Sequence, residues 1–156
     1  MRGHLSLTGS IVVRRFDPAD EGEWRRLRHA LWPSTTDVDH ARDLREYAES
    51  PRTHVILVAT RPGGGLTGCA EVRLRSHADE CLTSPVAFLE GWYVDADVRR
   101  RGVGRALVAA AETWARERGC REFGSDAHVE STESRAAHRA LGFEESTPVV
   151  NFRKVL

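Results

Sequence analysis

The sequence has few cysteines and no long apolar run. Its 156 residues include three cysteines, Cys69, Cys81 and Cys120, which are widely spaced and odd in number. Such a set does not form the disulfide framework of a small secreted domain, and it fits a chain kept in a reducing compartment. No apolar stretch approaches the length that a membrane-spanning helix needs. We therefore expect neither a disulfide scaffold nor a membrane protein.

Charge of one sign is not in excess either. The chain carries 23 lysine and arginine residues against 23 aspartate and glutamate residues, so its formal net charge is zero. General nucleic-acid binders are usually strongly basic, and we therefore expect no nucleic-acid partner. His77, Asp79, Glu80 and Cys81 lie close together in the sequence, but a polar, exposed loop over residues 76–84 explains them better than a metal site. No bound metal is expected.

Length and composition predict one domain. A chain of this size with 40% hydrophobic and 29% charged residues can bury a core of its own. The first four residues lack the apolar stretch of a signal peptide, and we expect residues 1–10 to form a flexible leader. Residues 11–156 are predicted to form the single domain, with the cytoplasm as its location.

Hydrophobic periodicity and turn residues predict an α/β fold. We expect a mixed sheet whose central parallel pair of strands is joined by a right-handed crossover and flanked by helices. A first helix is predicted to start at Asp17 and Pro18 and to end at Pro33. The other predicted helices cover residues 37–49, 105–119 and 131–141. The predicted strands cover residues 11–16, 54–60, 66–75, 88–94, 121–125, 143–144 and 149–155.

An arginine–glycine loop lies between the two central elements, a strand and an amphipathic helix. It consists of Arg99, Arg100, Arg101, Gly102, Val103, Gly104 and Arg105. The glycines let backbone N–H groups approach an anion, the helix start adds partial positive charge, and the guanidinium groups can hold phosphate oxygens. The loop therefore predicts a phosphate cradle. A solvated basic patch before an ordinary turn is the alternative.

The spacing of this loop also resembles a known family. Arg99-x-x-Gly102-x-Gly104 is similar to the loop that binds the pyrophosphate of acyl-coenzyme A in the GNAT superfamily of N-acetyltransferases, and the predicted element order matches that superfamily. The chain resembles one branch more closely, the aminoglycoside 6'-N-acetyltransferases. Four segments in the right order carry this likeness: Leu31-Trp32-Pro33, residues 83–94, residues 123–127 and residues 137–145.

The resemblance implies acetyl-coenzyme A (acetyl-CoA) as cosubstrate. Backbone amides at Trp92, Tyr93 and Val94 would polarise the thioester carbonyl and hold the pantetheine arm, while the arginine–glycine loop, Arg99 to Arg105, would hold the pyrophosphate. Direct acetyl transfer to an amine needs no covalent enzyme intermediate, and the sequence accordingly has no Gly-x-Ser-x-Gly motif of a nucleophilic serine.

The resemblance also assigns an acidic amine site. Asp126 is expected to bind the substrate amine and is the candidate base, and Glu90 is expected to act as ligand or as base through a water. Carboxylates on neighbouring strands would attract a polycationic aminoglycoside. The alternatives are that Glu90 pairs with an arginine and that Asp126 caps a turn.

Three further residues complete the expected site. Trp32 would form a wall for the sugar, with ordinary packing as its alternative, and Glu144 would add negative charge beside Glu145, with an exposed turn as the alternative. His138 stands where many superfamily members carry a tyrosine that protonates the leaving thiolate. We expect His138 to donate a hydrogen bond to the leaving sulfur; a helix histidine bonded to the backbone is the alternative.

Function and partners follow from these residues and the resemblance. We expect an acetyl-CoA-dependent transferase that acetylates the 6'-amine of aminoglycosides. The alternatives are the same chemistry on another small polyamine, peptide or protein amine, and a non-catalytic acyl-CoA-binding regulatory module.

The loop at residues 76–82 lacks the aromatic residue that related enzymes often place against the antibiotic. The apolar segment from Val149 to Val155 and the resemblance together predict a homodimer.

Overall fold

A single five-stranded sheet forms the centre of the molecule. The structure, a computed structural model, describes residues 10–156. The strands follow the order β1-β2-β3-β4-β5, antiparallel from β1 to β4, with β5 parallel to β4. Their bounds are β1 Val13–Arg15, β2 His54–Thr60, β3 Leu66–Arg75, β4 Val86–Val94 and β5 Phe123–Ser125. The predicted α/β fold and its central parallel pair are confirmed.

Four α-helices in the described part of the chain cover the two faces of this sheet. Their bounds are α1 Glu21–Leu31, α2 Asp37–Glu49, α3 Val103–Arg116 and α4 Thr132–Ala140. Asp17 does start the first helical segment, but it caps a short 3-10 turn over Pro18–Asp20, and α1 begins only after that turn. Thr36 caps α2 in the same reciprocal way, its hydroxyl accepting from the N–H of Asp39 at 3.2 Å.

The core has one layer on each side of the sheet. On one face, Leu107, Ala111 and Trp114 of α3 pack against the inward residues of the central strands. On the other face, Trp24 and Leu27 of α1 are fully buried against β2 and β3. Full burial of each such side chain contributes about 2–3 kcal/mol, so both layers hold the sheet in place.

The two predicted strands near the C-terminus are wrong. Residues 143–144 and 149–155 contain no strand, and no backbone hydrogen bond between described residues involves residues 144–156. A strand needs a neighbour that exchanges backbone hydrogen bonds with it, and this segment has none in the described part of the chain. Its apolar side chains are exposed instead: Val149, Val150, Phe152 and Val155.

The loop between β3 and β4 is more ordered than a polar exposed loop requires. Ala78 is buried against Val86 and Phe88. The carboxylate of Glu122 accepts hydrogen bonds from the N–H of Leu82 at 2.8 Å and from the N–H and hydroxyl of Thr83 at 2.6 Å each. Residues 1–9, which belong to the predicted N-terminal leader, lie outside the described residues.

Candidate active site

A cleft opens where β4 and β5 separate. The two strands pair only at Ala87↔Phe123, Phe88↔Gly124 and Leu89↔Ser125, after which β5 ends and β4 continues to Val94. Towards β3, the register jumps from Val72↔Leu89 to Glu71↔Gly91, so Glu90 is an extra, bulged residue. Among residues 10–156, no strand lies beside the β5-facing edge of residues 90–94, and this edge can pair with an extended ligand.

The arginine–glycine loop lies at the end of this cleft where β4 is followed by α3. Gly102 is the N-cap of α3 with φ 89°, and no side chain caps the helix. The N–H groups of the first turn thus stay available to an anion. Arg100 and Arg101 beside them are exposed, and neither forms an ion pair with a residue of the described range. These features fit a pyrophosphate group and favour the phosphate cradle over an ordinary turn.

The other residues of the arginine–glycine loop contact the protein itself. Arg99 Nε donates to the carbonyl oxygen of Val94 at 3.0 Å, and an amino group of Arg105 donates to Ala140 O at 3.4 Å. Val103, the first residue of α3, is buried in the core. Gly104 lets α3 approach Trp92, because a β-carbon there would lie 2.8 Å from Trp92 Cζ2.

Two arginines that the sequence did not single out anchor the start of this loop. Asp95, which directly follows β4, accepts from Arg26 at 2.9 and 3.0 Å and from Arg61 at 3.1 Å. Arg61 also bonds Asp97, and its guanidinium holds the pKa of that carboxyl below its usual range. Residues 26 and 61 are far from the loop in sequence, so no local pattern predicts this anchor.

Glu90 points to the α1–α2 side of the sheet and is paired. Its carboxylate accepts from Arg75 Nε at 3.0 Å and from Arg75 Nη2 at 2.9 and 2.8 Å, and its side chain is 23% exposed. The Arg75 guanidinium lies over the Phe88 ring at 3.5 Å. The alternative in which Glu90 pairs with an arginine is therefore observed, although the carboxylate still reaches solvent.

Asp126 differs from Glu90 because it is exposed and unpaired. It directly follows β5, and no hydrogen bond or ion pair joins its carboxylate to another residue within 10–156. The alternative in which Asp126 caps a turn finds no hydrogen bond to support it. Its negative charge is free to attract a cation at the open side of the cleft.

His138 lies on the opposite face of the sheet from Glu90, among aromatic rings. Trp92 and Phe143 meet it edge-on, with centroids 5.4 and 5.2 Å away. Its Nδ1 lies 2.7 Å from Ser134 O, and its Nε2 lies 2.8 Å from Ser125 Oγ. Both ring nitrogens thus have partners inside the protein, so a direct hydrogen bond from His138 to sulfur would require breaking the Ser125 contact.

Trp32 packs directly on β4 beside Glu90. A β-carbon at Gly91 would lie 2.4 Å from Trp32 Cη2, so the glycine makes room for the ring. The guanidinium of Arg28 lies 4.9 Å from the same ring on the side of α1. Packing and a sugar-facing wall are compatible here, because the ring remains partly exposed.

The two C-terminal glutamates have different surroundings. Glu145 forms ion pairs with Arg135 and Arg139 of α4, and Arg135 holds the pKa of that carboxyl below its usual range. Glu144 is exposed, and no ion pair joins it to another described residue. Glu145 therefore fastens the C-terminal segment to α4, and only Glu144 has a free charge.

Sequence reasoning missed a buried charged group next to this wall. Glu71 is 2% exposed, accepts from Trp24 Nε1 at 2.9 Å and lies 3.1 Å from Arg28 Nε. Burial raises the pKa of Glu71 to about 7, against the opposing effect of Arg28. Alternation along β3 places Glu71 on one face of the strand, but only the tertiary structure shows that α1 covers that face.

Two searches of the described residues concern other classes of site. No helix between residues 10 and 156 has both the length and the apolar character to cross a membrane. Over the same residues, no three His, Cys, Asp or Glu side chains are arranged to hold a metal ion. The cleft between β4 and β5 remains the candidate active site.

Comparison with known proteins gives the family to which this cleft belongs. The sequence model of the acetyltransferase (GNAT) family matches residues 24–143. The chain therefore belongs to the GNAT family of acetyltransferases, as the arginine–glycine loop predicts. Within that family it is similar to the aminoglycoside N(6')-acetyltransferase type 1 of Klebsiella aerogenes, with 43% identity over 152 residues, 96% of this chain and 100% of that protein. The Stenotrophomonas maltophilia enzyme of the same name is 44% identical over 153 residues, 96% of this chain and 97% of that protein.

Solved structures agree with this assignment. AAC(6')-Iy in complex with the bisubstrate analogue CoA-S-monomethyl-acetylneamine superposes with a TM-score of 0.89 at 36% identity, covering 95% of this chain and 100% of that chain. The aminoglycoside 6'-N-acetyltransferase AAC(6')-Ih from Acinetobacter baumannii gives a TM-score of 0.87 at 34% identity, covering 94% and 99%. The resemblance to the aminoglycoside 6'-N-acetyltransferases is confirmed.

Proposed function

We propose that this chain transfers the acetyl group of acetyl-CoA to the 6'-amine of aminoglycosides. The observation that carries the proposal is its likeness, over 95% of the chain, to an enzyme solved with coenzyme A joined to acetylneamine. The cleft fits such a pair of ligands, because an uncapped helix start and exposed arginines lie at one end and a free carboxylate lies at the other.

Different groups of the cleft bind different parts of acetyl-CoA and the amine. The uncapped N–H groups of α3, with Arg100 and Arg101, hold the pyrophosphate, and the open edge of β4 at Trp92, Tyr93 and Val94 binds the pantetheine arm and polarises the thioester carbonyl. Bound there, acetyl-CoA supplies the activated acetyl group. The chain itself positions the amine so that its nitrogen lone pair meets the carbonyl carbon.

Asp126 is our candidate for the group that receives the amine proton. An aminoglycoside amine arrives as an ammonium, which must lose a proton before it can attack. Asp126 is exposed and unpaired among the described residues, whereas the carboxylate of Glu90 is already compensated by Arg75. We therefore assign proton removal and amine binding to Asp126, and contact with a second substrate group to Glu90. Trp32 and Glu144 border the same substrate.

Thiol release tests this function. We expect free thiol from acetyl-CoA with kanamycin or tobramycin, and none with derivatives that lack the 6'-amine. Asp126→Asn should lower kcat/KM roughly 100-fold because it removes the proton acceptor. Glu112→Gln, which changes a carboxylate paired with Arg116 on α3, is the matched control. Thiol release only with other amines would show that the substrates are not aminoglycosides. Coenzyme A binding without any thiol release would indicate a regulatory module.

The exposed C-terminal segment supports a homodimer. Phe152 is 93% and Val150 78% exposed, and the segment has no strand partner among the described residues of its own chain. We infer that it pairs with the same segment of a second copy, which would bury these side chains. A molar mass of twice the chain, measured by light scattering, would support this, and the monomer mass at the working concentration would contradict it.

Because Cys69, Cys81 and Cys120 are free thiols, we place the enzyme in the cytoplasm.

A further inference from the structure

A hydrogen-bonded chain of side chains lies at the point where β4 and β5 part. Ser125 is the last residue of β5 and the last to pair with β4, opposite Leu89. Its Oγ lies 2.8 Å from His138 Nε2 and 3.3 Å from the carbonyl oxygen of Leu89. His138 in turn bonds Ser134 O at 2.7 Å through Nδ1. The hydroxyl of Ser125 thus connects the end of β5 to α4 through His138.

The hydrogens of this chain can be counted. A carbonyl oxygen only accepts, so Nδ1 of His138 carries a hydrogen that it donates to Ser134 O. In neutral His138, Nε2 accepts the single hydroxyl hydrogen of Ser125, and Leu89 O receives nothing from that hydroxyl. In protonated His138, Nε2 donates to Ser125 Oγ, and the hydroxyl hydrogen is free for Leu89 O or for a ligand. The geometry accommodates both states without moving a heavy atom.

The surroundings leave Ser125 as the group that can meet a ligand. Trp92 and Phe143 meet the half-buried His138 ring edge-on, and its two nitrogens are bonded within the protein. Ser125 lies instead at the vertex of the cleft, next to the first unpaired residues of β4. A thioester whose pantetheine arm pairs with the open edge of β4, and whose carbonyl faces an amine at Asp126, would lie beside Ser125, because Asp126 directly follows Ser125.

We propose that Ser125 is a catalytic residue that protonates the coenzyme A sulfur as it leaves, and that His138 is the positioning residue that supplies the proton through it. This rests on the proposed acetyl transfer. As the neutral amine nitrogen bonds to the carbonyl carbon, the carbon–sulfur bond breaks, the sulfur takes its electron pair, and the nitrogen gives up one proton to solvent water. The Ser125 hydroxyl gives its proton to the sulfur and takes one from Nε2 of protonated His138. The products are the amide, the free thiol and neutral His138, and solvent reprotonates His138.

Ionisation of the bound thiol tests this role without turnover. The ultraviolet absorption of the thiolate is followed against pH for coenzyme A bound to the enzyme, with desulfo-coenzyme A complexes as blanks for the protein's own thiols. When a thiolate forms beside Ser125, the hydroxyl donates to the sulfur while Nε2 of protonated His138 donates to Ser125 Oγ, and this stabilises the thiolate. Ser125→Ala should therefore raise the pKa of the bound thiol by about one pH unit. Ser125→Thr keeps the hydroxyl and should restore the wild-type value. Ser131→Ala removes a nearby hydroxyl that makes no capping bond and is the matched control.

Turnover gives the second measurement. Ser125→Ala should lower kcat about tenfold with an unchanged KM for the aminoglycoside. His138→Gln should lower kcat by a similar factor, and the double variant should be no slower than either single variant because the two residues act through one another. An active wild type together with an unshifted thiol pKa and a wild-type kcat in Ser125→Ala would overturn this proposal. A wild type that releases no thiol with any aminoglycoside would overturn the proposed function instead, and the thiol titration would still report on Ser125.

Discussion

Replacing Gly91 with alanine should weaken aminoglycoside binding and leave coenzyme A binding intact. The added methyl group would lie 2.4 Å from Cη2 and 2.9 Å from Cζ2 of Trp32, well inside van der Waals contact. Trp32 must therefore move away from β4. Since this ring forms the proposed sugar wall, the change acts on the amine side of the cleft.

The size of the effect follows from how firmly Trp32 is held. Arg28 lies 4.9 Å from the ring and is itself buried, with Asp43 accepting from its guanidinium at 2.8 Å. The ring cannot retreat in that direction without disturbing the ion pair. Overpacking of this kind costs about 1–3 kcal/mol, which corresponds to roughly a 5- to 150-fold weaker aminoglycoside dissociation constant if the strain falls on the bound state.

Gly104→Ala is the same change on the coenzyme side. Its methyl group would lie 2.8 Å from Cζ2 and 3.3 Å from Nε1 of Trp92, and it would push the start of α3 away from β4. We expect a comparable loss of coenzyme A affinity, with the affinity for the aminoglycoside unchanged. The two variants therefore separate the two ends of the cleft with one chemical change.

Calorimetric titration of each ligand and thermal unfolding provide the assay. Gly22→Ala is the control, because nothing lies within 4 Å of its added methyl group, and it should raise stability by up to about 1 kcal/mol without affecting either affinity. An unchanged aminoglycoside affinity in a folded Gly91→Ala protein would refute the assignment of Trp32. Equal losses of both affinities in both variants would refute the separation of the two ends.

Three other changes test the supports of the site. Burial raises the pKa of Glu71 to about 7, so its contribution to stability is fully present below pH 4 and is lost as the pH rises to about 7. The free energy of unfolding should therefore fall by at most about 3 kcal/mol between pH 4 and 8. Glu71→Gln should remove this fall, which urea unfolding curves measured across that pH range would show. An identical fall in the variant would contradict this. Gly102→Ala forces an alanine to φ 89° and should weaken coenzyme A binding about tenfold in calorimetry, whereas Gly63→Ala, with the same φ in the β2–β3 turn, should not. Glu122→Ala removes the acceptor of Leu82 and Thr83, and limited proteolysis should then cleave the loop at residues 76–84; a loop as resistant as the wild type would contradict its anchoring.

Local patterns in the sequence predict most of the fold. The helix predicted at 105–119 lies at Val103–Arg116, and its start is found within two residues because the apolar spacing of Leu107, Ala111 and Trp114 is a local pattern. The hairpin strands at His54–Thr60 and Leu66–Arg75 match their predicted ranges because their turn and alternation are both local. The C-terminal strands fail for the opposite reason, since a strand depends on a neighbour that no local pattern specifies.

The candidate site is less predictable from sequence than the fold. The structure places Glu90 on β4 and His138 on α4, whereas Asp126, expected on a strand, directly follows β5. The motifs do not show which carboxylate is compensated or which nitrogen is occupied. Those facts depend on Arg75 and Ser125, which lie 15 and 13 residues away in sequence from their partners. The bulge at Glu90 likewise depends on the register between two strands, so only the assembled sheet reveals it.

Some arginines are held by carboxylates of the fold and others are not, and this difference explains how a protein of zero net charge serves substrates of opposite charge. Arg26, Arg28 and Arg75 are bonded to carboxylates within the fold, whereas Arg100 and Arg101 have no such partner among the described residues. An aminoglycoside beside Asp126 would be repelled by those two if they were close. About five strand residues separate Leu89 from Val94, which at about 3.3 Å per residue is roughly 16 Å, or about two Debye lengths in physiological salt. The length of the open edge of β4 therefore keeps the pyrophosphate and the polycation apart in one cleft, and the pantetheine arm of acetyl-CoA would span the distance between them.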